Sequence, residues 1–175
     1  MPKIVFVDKN DNVIGSGTRE EALRKGIIRR IVRVFLFNST GELLIQKRSS
    51  NASLPGKWDQ SVGGHVDEGE DYYQAAQREL KEELGIKNIP IKEIIKFYAE
   101  EISETTKNKR FSTIYRADYD GEINFNKEEI DEVKWTTLEE LDSWMEERPE
   151  DFLQGFIKAF SLYSKENPAQ ASIDS

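Results

Sequence analysis

Alternating apolar and polar residues divide the chain into short segments that have the period of a β-strand or an α-helix. Runs rich in β-branched and aromatic residues, bounded by turn residues, are typical of strands. This pattern predicts strands at residues 3–8, 13–17, 27–38, 43–48, 58–62, 91–102, 109–119 and 133–136. Turn residues at 9–12 join the first two strands, which predicts an N-terminal β-hairpin.

The segments between these strands include four predicted helices. They are residues 19–25, 71–84, 138–147 and 151–165. Thr18 and Thr137 each precede a glutamate by three residues, a capping-box spacing that starts a helix, and Gly26 is a typical helix stop. The last helix carries an apolar stripe made of Phe152, Phe156, Ala159, Phe160 and Tyr163. This stripe predicts a face packed on the core, and a homodimer interface is the alternative.

The order of these elements predicts one α/β domain. A chain of 175 residues is long enough for a single buried core and too short for two ordinary domains. Strands interspersed with helices predict a central mixed sheet that helices cover. We expect residues 1–27 to form a hairpin and short helix packed on a domain at 28–167, and residues 168–175 to form a flexible tail.

Composition narrows the class of protein. No window approaches the roughly 18 apolar residues of a membrane span, and no leader pattern precedes the first strand. The chain has no cysteine, which excludes disulfides and thiolate chemistry and suits a cytoplasmic protein. A net charge of −8 opposes sequence-independent binding to nucleic acid. A small phosphorylated ligand remains compatible, provided that a cation or a few Lys and Arg offset the repulsion.

One predicted helix concentrates carboxylates on one side. Glu79, Glu82 and Glu83 stand at positions i, i+3 and i+4, so their side chains project from nearly the same side. Like charges at this spacing destabilise an isolated helix, and hard oxygen ligands at this density suit Mg²⁺ or Mn²⁺. Taken alone, the three glutamates favour a solvated acidic face over a metal site.

The neighbouring residues complete a longer pattern, G-x5-E-x7-R-E-U-x-E-E-x-G-U, where U is a bulky aliphatic residue. Its specified positions are Gly64, Glu70, Arg78, Glu79, Leu80, Glu82, Glu83, Gly85 and Ile86. With every position present, the chain resembles the Nudix hydrolase superfamily. The resemblance implies a Nudix-type α/β/α sandwich with a central mixed sheet over about residues 28–165, which the N-terminal hairpin extends.

The resemblance also implies roles for these residues. Glu79, Glu82 and Glu83 are expected to hold Mg²⁺, with Mn²⁺ as an alternative, together with the backbone carbonyl of Gly64. A metal held in this way lowers the pKa of a bound water, which attacks phosphorus. We place Arg78 with the three glutamates in the catalytic set, and expect it to orient them. In relatives the general base is a glutamate of the pattern or of a later segment, and the later candidates are Glu100, Glu101, Glu104 and Glu132.

Four other residues are candidate substrate contacts. Gln46 and Arg48 end a strand that should border the site, and alternation lets either of them point toward an anion. Trp58 is expected either to stack on a base or to fill the core. His65, the single histidine, is expected either to contact phosphate or to form a structural hydrogen bond.

Residues 29–70 look most like the branch of the superfamily that is related to isopentenyl-diphosphate isomerase. That branch implies a cysteine just before the glycine–histidine pair and further histidines near the N-terminus. Gly63 stands at the cysteine position, and Arg29 stands at one histidine position. These replacements favour Mg²⁺-dependent hydrolysis of a diphosphate linkage in a small substrate, expected to be a nucleoside di- or triphosphate or a nucleoside diphosphate derivative. An isomerase-like enzyme and a non-catalytic nucleotide-binding Nudix module are the alternatives.

Overall fold

The computed structural model describes residues 2–166, which form nine strands, four α-helices and one short 3-10 helix. The strands are β1 (Ile4–Val7), β2 (Val13–Gly17), β3 (Ile28–Phe37), β4 (Leu43–Arg48), β5 (Trp58–Asp59), β6 (Val62–His65), β7 (Lys92–Ile102), β8 (Lys107–Asp118) and β9 (Ile130–Thr136). The helices are α1 (Arg19–Lys25), α2 (Tyr72–Leu84), α3 (Leu138–Glu147) and α4 (Gln154–Glu166), with the 3-10 helix at Pro149–Asp151. The tail predicted at 168–175 lies outside the described residues.

The N-terminal hairpin extends the main sheet. β1 pairs with β2 and also with β3, in both cases antiparallel. The Thr18 side chain caps α1 by accepting a hydrogen bond from the Glu21 amide, as the capping spacing predicts. Gly26 then ends α1 in the left-handed region, with φ of 72°, a conformation that glycine adopts without steric cost. The local signals for this helix therefore agree with its tertiary setting.

β3 is the strand from which the mixed sheet is built. β8 pairs with it in parallel along residues 29–37, and β6 pairs with it antiparallel along residues 31–34. β3 meets β4 only at Phe37 and Leu43, and β4 continues with β5 and β9 instead. The sheet therefore splits between β3 and β4. This split provides the space in which buried polar side chains can gather.

The single strand predicted at residues 58–62 is wrong, because the chain changes partners within it. β5 pairs with β4, whereas β6 pairs with β3, so Gln60 and Ser61 cross the split. The Ser61 hydroxyl donates to the Leu44 carbonyl (2.6 Å) and accepts from the Leu36 amide (2.9 Å). One side chain thus satisfies backbone groups that β3 and β4 cannot satisfy for each other.

The two faces of β3 are covered by different helices, because its side chains alternate in direction. Val32 and Val34 pack with residues of α2, whereas Phe35 and Phe37 pack with residues of α3 and α4. This arrangement confirms the predicted α/β/α sandwich with a central mixed sheet. Among residues 2–166, no helix combines the length and the apolar content that crossing a membrane requires.

α4 starts at Gln154, three residues later than predicted. Pro149–Asp151 form a separate 3-10 helix, and Phe152 is extended and forms a parallel bridge with Trp58 before α4 begins. The predicted apolar stripe, from Phe152 to Tyr163, is buried in the cluster between the sheet and α3. The stripe therefore serves the core, and the homodimer alternative cannot use this surface.

Asp11 anchors the hairpin to the domain, which gives a testable prediction. Its carboxylate accepts hydrogen bonds from Arg30 Nε (2.8 Å), Lys96 Nζ (2.7 Å) and the Tyr72 hydroxyl (2.9 Å). We expect Asp11→Ala to lower the free energy of unfolding by about 2 kcal/mol, because these donors lose a buried acceptor. Denaturant unfolding, with Glu20→Ala on exposed α1 as the control, measures this loss. Equal stability of the two variants would contradict the anchoring role.

Candidate functional site

α2 is fixed at both ends by capping interactions. The Asp71 carboxylate accepts from the Gln74 amide (2.8 Å), and the Gln74 side chain accepts from the Asp71 amide (2.9 Å), which completes a capping box. Gly85 ends the helix in the left-handed region, with φ of 70°. The side chains that α2 buries against the sheet include Ala75, Ala76, Leu80 and Leu84. This packing fixes the height and rotation of the glutamates on the same helix.

Glu83 lies at the split between β3 and β4, where it contacts β4 and β6. Its buried carboxylate accepts hydrogen bonds from Gln46 Nε2 (3.0 Å) and from the Gly63 amide (3.2 Å). Glu79 lies one helical turn earlier on the same side of α2, and its carboxylate accepts from Arg78 (2.8 Å). Burial raises the pKa of both carboxyl groups, and the neighbouring Glu79 raises the pKa of Glu83 further. The pair therefore favours sharing a proton or a cation over carrying two uncompensated negative charges.

Gly64 makes this approach possible by lacking a side chain. It lies in β6 opposite Val32, and a methyl group on its α-carbon would overlap the Glu79 carboxylate. Its φ angle is outside the left-handed region, so the backbone here does not need glycine for a bend. Gly63 and Gly64 are both strand residues of β6. The glycine is required for close contact with α2.

Arg78 gathers the acidic groups around α2. Its guanidinium donates to Glu70 (2.6 and 3.0 Å), Glu79 (2.8 Å) and Glu82 (3.2 Å), and to the His65 carbonyl (2.9 Å). These hydrogen bonds, above all the one to Glu70, raise the pKa of Arg78, so the group stays charged. Because its contacts are with the glutamates, Arg78 is better described as orienting the site than as a member of the catalytic set.

The glutamates have the chemistry of a site for a hard divalent cation. Among residues 2–166, no three or more His, Asp or Glu side chains converge as they would around a metal ion. One reason is that Glu82, with its side chain 56% exposed, turns toward Arg78. The paired carboxyl groups of Glu79 and Glu83 nevertheless fit Mg²⁺ or Mn²⁺, because a divalent cation would neutralise both and prefers oxygen ligands.

Glu129 is a further acidic residue at this site that sequence analysis missed. It immediately precedes β9, and its carbonyl accepts from the Ser49 amide. Glu129 is exposed, but desolvation of its carboxyl group by the surrounding protein and repulsion by Glu82 raise its pKa, and its charge also raises the pKa of Glu83. No local pattern marks this residue. The signal that could have found it is the pairing of β4 with β9, which brings Ile130 opposite Arg48.

The later glutamates that the sequence offered as general bases lie elsewhere. Glu100 and Glu101 are on β7, where they accept from the Tyr98 hydroxyl and from Arg110. Glu132 is paired with Lys47, which follows Gln46, so alternation turns Glu132 away from the face that holds Glu83. Glu104 lies between β7 and β8. Glu129 therefore replaces these four residues as the candidate general base from a later segment.

Two of the predicted substrate contacts have other roles. Gln46 is 4% exposed, and its amide donates to the Ser61 carbonyl (2.8 Å) as well as to Glu83. It therefore orients Glu83, and the substrate-binding role predicted for it does not fit. Trp58 is 8% exposed and packs edge-on against Trp144, with ring centroids 5.6 Å apart. Trp58 is thus a core residue, and neither face is free to stack on a base.

Arg48 and His65 are the other two predicted substrate contacts. Arg48 is half-buried, donates to Ser53 (2.6 and 2.9 Å) and lowers the pKa of Glu129 by its charge. His65 Nε2 lies 2.8 Å from Arg29 Nη1, and because a guanidinium only donates, Nε2 must accept. Burial and the charge of Arg29 lower the pKa of His65 to about 3, so the imidazole is neutral. Of the two roles expected for His65, these contacts fit a structural hydrogen bond and not contact with phosphate.

Comparison with known proteins agrees with the geometry. The NUDIX domain family model matches residues 28–156. The uncharacterized Nudix hydrolase PA4841 of Pseudomonas aeruginosa is 38% identical over 133 residues, which cover 75% of this chain and 76% of that protein. The isopentenyl-diphosphate Delta-isomerase 2 of Photorhabdus laumondii is 31% identical over 157 residues, covering 89% and 88%. The crystal structure of DR0079 from Deinococcus radiodurans matches with a TM-score of 0.69 at 31% identity, covering 82% and 88%.

The relatives include both hydrolases and isomerases, so the site must distinguish between them. The three glutamates expected to hold the metal, Glu79, Glu82 and Glu83, are present and have hydrogen bonds with Arg78, Gln46 and the Gly63 amide. No side chain at position 63 could take part in the proton transfers of an isomerase. The chain belongs to the Nudix family and is a Nudix hydrolase that acts on a pyrophosphate-containing substrate.

Proposed function

We propose that the protein is a Mg²⁺-dependent hydrolase of the phosphoanhydride bond in a nucleoside di- or triphosphate or a nucleoside diphosphate derivative. The observation that carries this proposal is the pair of glutamates on one side of α2, with the buried Glu83 held by Gln46 and the Gly63 amide and the half-buried Glu79 held by Arg78. Nudix hydrolases generally use divalent metals such as Mg²⁺. The nucleotide part of the substrate rests on membership of the family.

The metal site would be formed by Glu79, Glu82 and Glu83, with the Gly64 carbonyl as the further ligand that family resemblance implies. When bound, the metal neutralises the diphosphate and makes a coordinated water more acidic. Arg78 holds Glu79, and Gln46 and the Gly63 amide hold Glu83, so these two carboxylates are oriented before any substrate arrives, whereas Glu82 would turn from Arg78 toward the metal. This preorganisation is the main contribution of the protein itself.

Glu129 is our candidate for the general base. Its raised pKa makes it a stronger proton acceptor than an ordinary carboxylate, and it interacts with Glu82 and Glu83 across the site. Arg48, whose charge acts on Glu129, is the candidate contact for a phosphate oxygen of the substrate. Both residues lie at the end of β4 and the start of β9, where loops can shape a substrate pocket.

The alternative activity is isomerisation of isopentenyl diphosphate, which the relative in Photorhabdus favours. Such a reaction adds a proton to one carbon atom and removes a proton from another. Gly63 has no group that could do so, and Arg29 is held by His65 and Asn108 as a permanent cation. Conversion of isopentenyl diphosphate to its isomer would reinstate this alternative. Stabilisation by Mg²⁺ without turnover of any substrate would indicate a binding module.

Replacement of Glu83 tests the hydrolase directly. With Mg²⁺ and a panel of nucleoside di- and triphosphates, nucleotide sugars and dinucleoside polyphosphates, we expect release of phosphate or pyrophosphate. Glu83→Gln should lower kcat by at least about 100-fold, because loss of a metal ligand removes several kcal/mol of transition-state stabilisation. Glu132→Gln, an exposed change on β9, is the control. The hydrolase proposal fails if no substrate is cleaved or if Glu83→Gln matches the control.

Adjacent glutamates provide a matched test of the general base. We expect Glu129→Gln to lower kcat by about 100-fold, the usual contribution of a positioned base. Glu128→Gln should leave kcat unchanged, since the hydrogen bonds of Glu128 are made by its backbone: the carbonyl accepts from the Ser49 hydroxyl and the amide donates to Asn126. Steady-state kinetics on the best substrate decides between them. Equal activity of the two variants would remove Glu129 from the mechanism.

The raised pKa values predict how stability depends on pH. Folded Glu79 and Glu83 bind protons above the ordinary carboxyl pKa of 4.5, so the metal-free protein should lose stability as pH rises above that value. Mg²⁺ would replace these protons, so the rise in Tm that it causes should grow between about pH 5 and about pH 8. Thermal unfolding in EDTA and in Mg²⁺ measures both trends. A pH-independent Mg²⁺ effect, or the same trend in Glu83→Gln, would contradict the assignment.

A further inference from the structure

Three buried arginines share one face of the sheet beside the glutamate site. In the parallel register of β3 and β8, Arg29 is paired with Arg110, so their side chains project side by side. Arg33 follows on the same face of β3, which α3 and α4 cover further along. Arg29 is only 3% exposed, Arg110 7% and Arg33 6%. Like charges in cross-strand positions destabilise a sheet, so this arrangement needs a compensating reason.

The hydrogen-bond partners of Arg29 and Arg33 do not neutralise them. Arg29 donates to His65 and Asn108, and Arg33 donates to Gln60 (2.8 Å), all of which are uncharged groups. Burial lowers the pKa of Arg29 and of Arg33 to about 10, so both stay protonated at neutral pH. Their positive charge is therefore retained in a setting that disfavours it.

Two carboxylates act on the cluster, and neither is fully available to it. Glu101 pairs with Arg110 (3.0 Å), but its side chain is 55% exposed and solvent screens it. Asp59 raises the pKa of Arg33 by its charge, and it also lies 3.7 Å from Arg48. Arg48 together with the three arginines of the cluster thus faces two carboxylates, Glu101 and Asp59. This leaves two positive charges in excess. Arg19 of α1 adds further positive potential at Arg29.

Several buried donors on this face have no partner. Among residues 2–166, Arg29 Nε, Arg33 Nε, Arg110 Nη1 and Ser112 Oγ are buried without a hydrogen bond. Ser112 follows Arg110 by two residues on β8 and points to the same face. Gly155, in the first turn of α4, leaves room for Arg33, since a side chain there would begin 2.9 Å from Arg33 Nη2. The positive end of α4 therefore also faces the cluster.

We propose that Arg29, Arg33 and Arg110 form a second anion-binding site, distinct from the glutamate site, which takes a phosphate monoester group. A phosphate monoester carries close to two negative charges at neutral pH, which matches the excess, whereas a carboxylate would neutralise only half of it. Guanidinium forks fit the oxygens of phosphate, and these oxygens accept from unpaired N–H and hydroxyl groups. The ligand would thus satisfy the charge and the donors together.

The second site lies across β6 from the glutamates. Gln60 accepts from Arg33, and its amide nitrogen is 2.5 Å from the point at which a Gly63 side chain would begin. On the other side, the Gly63 amide donates to Glu83 (3.2 Å). A substrate that occupies both sites would have to reach around β6, with its diphosphate at the glutamates and a separate phosphate at the arginines. This part rests on the proposed hydrolase function, whereas phosphate binding itself does not.

Titration of inorganic phosphate into the metal-free protein tests the site without catalysis. EDTA keeps metal from the glutamates, which then repel phosphate. We expect calorimetry to detect one phosphate bound to the wild type and to Arg116→Gln, the control on the same strand, whose guanidinium is paired with Asp118. Arg33→Met should bind at least tenfold more weakly while keeping or raising its Tm, because an unpaired buried charge is removed. If this variant does not fold, Arg33→Lys and Arg110→Lys provide the same comparison.

Absence of phosphate binding, or equal binding by the Arg33 variants and the wild type, would overturn the proposal. A loss of stability in Arg33→Met with phosphate affinity unchanged would show that the arginines are structural. The result does not depend on turnover, so failure of the proposed hydrolase function leaves it intact.

A matched pair of substrates distinguishes the two sources of the phosphate. ADP-ribose and ADP-ribose 2′-phosphate differ only by a phosphate monoester. If the substrate carries the group, the wild type and Arg116→Gln should cleave the diphosphate of ADP-ribose 2′-phosphate with a kcat/KM at least tenfold higher than that for ADP-ribose. Arg33→Met should lose that preference. Binding of inorganic phosphate without such a preference would assign the site to free phosphate. If the protein cleaves neither compound, this comparison does not identify the substrate. The titration with inorganic phosphate alone then decides whether the arginines bind phosphate.

Discussion

The burial of Glu79 beside Glu83 is the constraint on which the site depends. Two carboxyl groups in contact repel each other, and the surrounding structure is arranged around that repulsion. Gln46 and the Gly63 amide donate to Glu83, Gly64 clears the space for Glu79, and Arg78 balances the outer charge. The split between β3 and β4 supplies the volume in which these groups meet. None of them would have this position in a sheet whose strands paired without interruption.

Much of the fold could be predicted from the sequence because its signals are local. α1 and α3 have the predicted bounds, since capping residues mark their starts, and β4 has its predicted bounds because turn residues flank it. The prediction failed at residues 58–62, because periodicity shows which residues alternate and contains no information about which strand they pair with. Tertiary pairing divides that stretch into β5 and β6.

The candidate site, like the fold, was predictable where its contacts are local along the chain. The contacts of Arg78 with Glu70 and Glu79 lie on or near one helix, and their spacing suggests them. Glu129, the buried orientation of Gln46 and the approach of Arg29 to Arg110 depend on strand pairing between distant parts of the chain. Single residues of this kind carry no sequence pattern. They become meaningful only once the register of the sheet is known.

β3 presents Val32 and Val34 to α2, and Arg29, Arg33, Phe35 and Phe37 to the opposite face. Insertion or deletion of one residue within Ile28–Phe37 would exchange the two faces, burying guanidinium groups in an aliphatic layer and placing valines where the arginines stand. Insertion or deletion of a single residue in this strand is therefore not tolerated. Divergence between paralogues has to be absorbed in surface connections such as residues 49–57, where a change in length leaves the register of the sheet untouched.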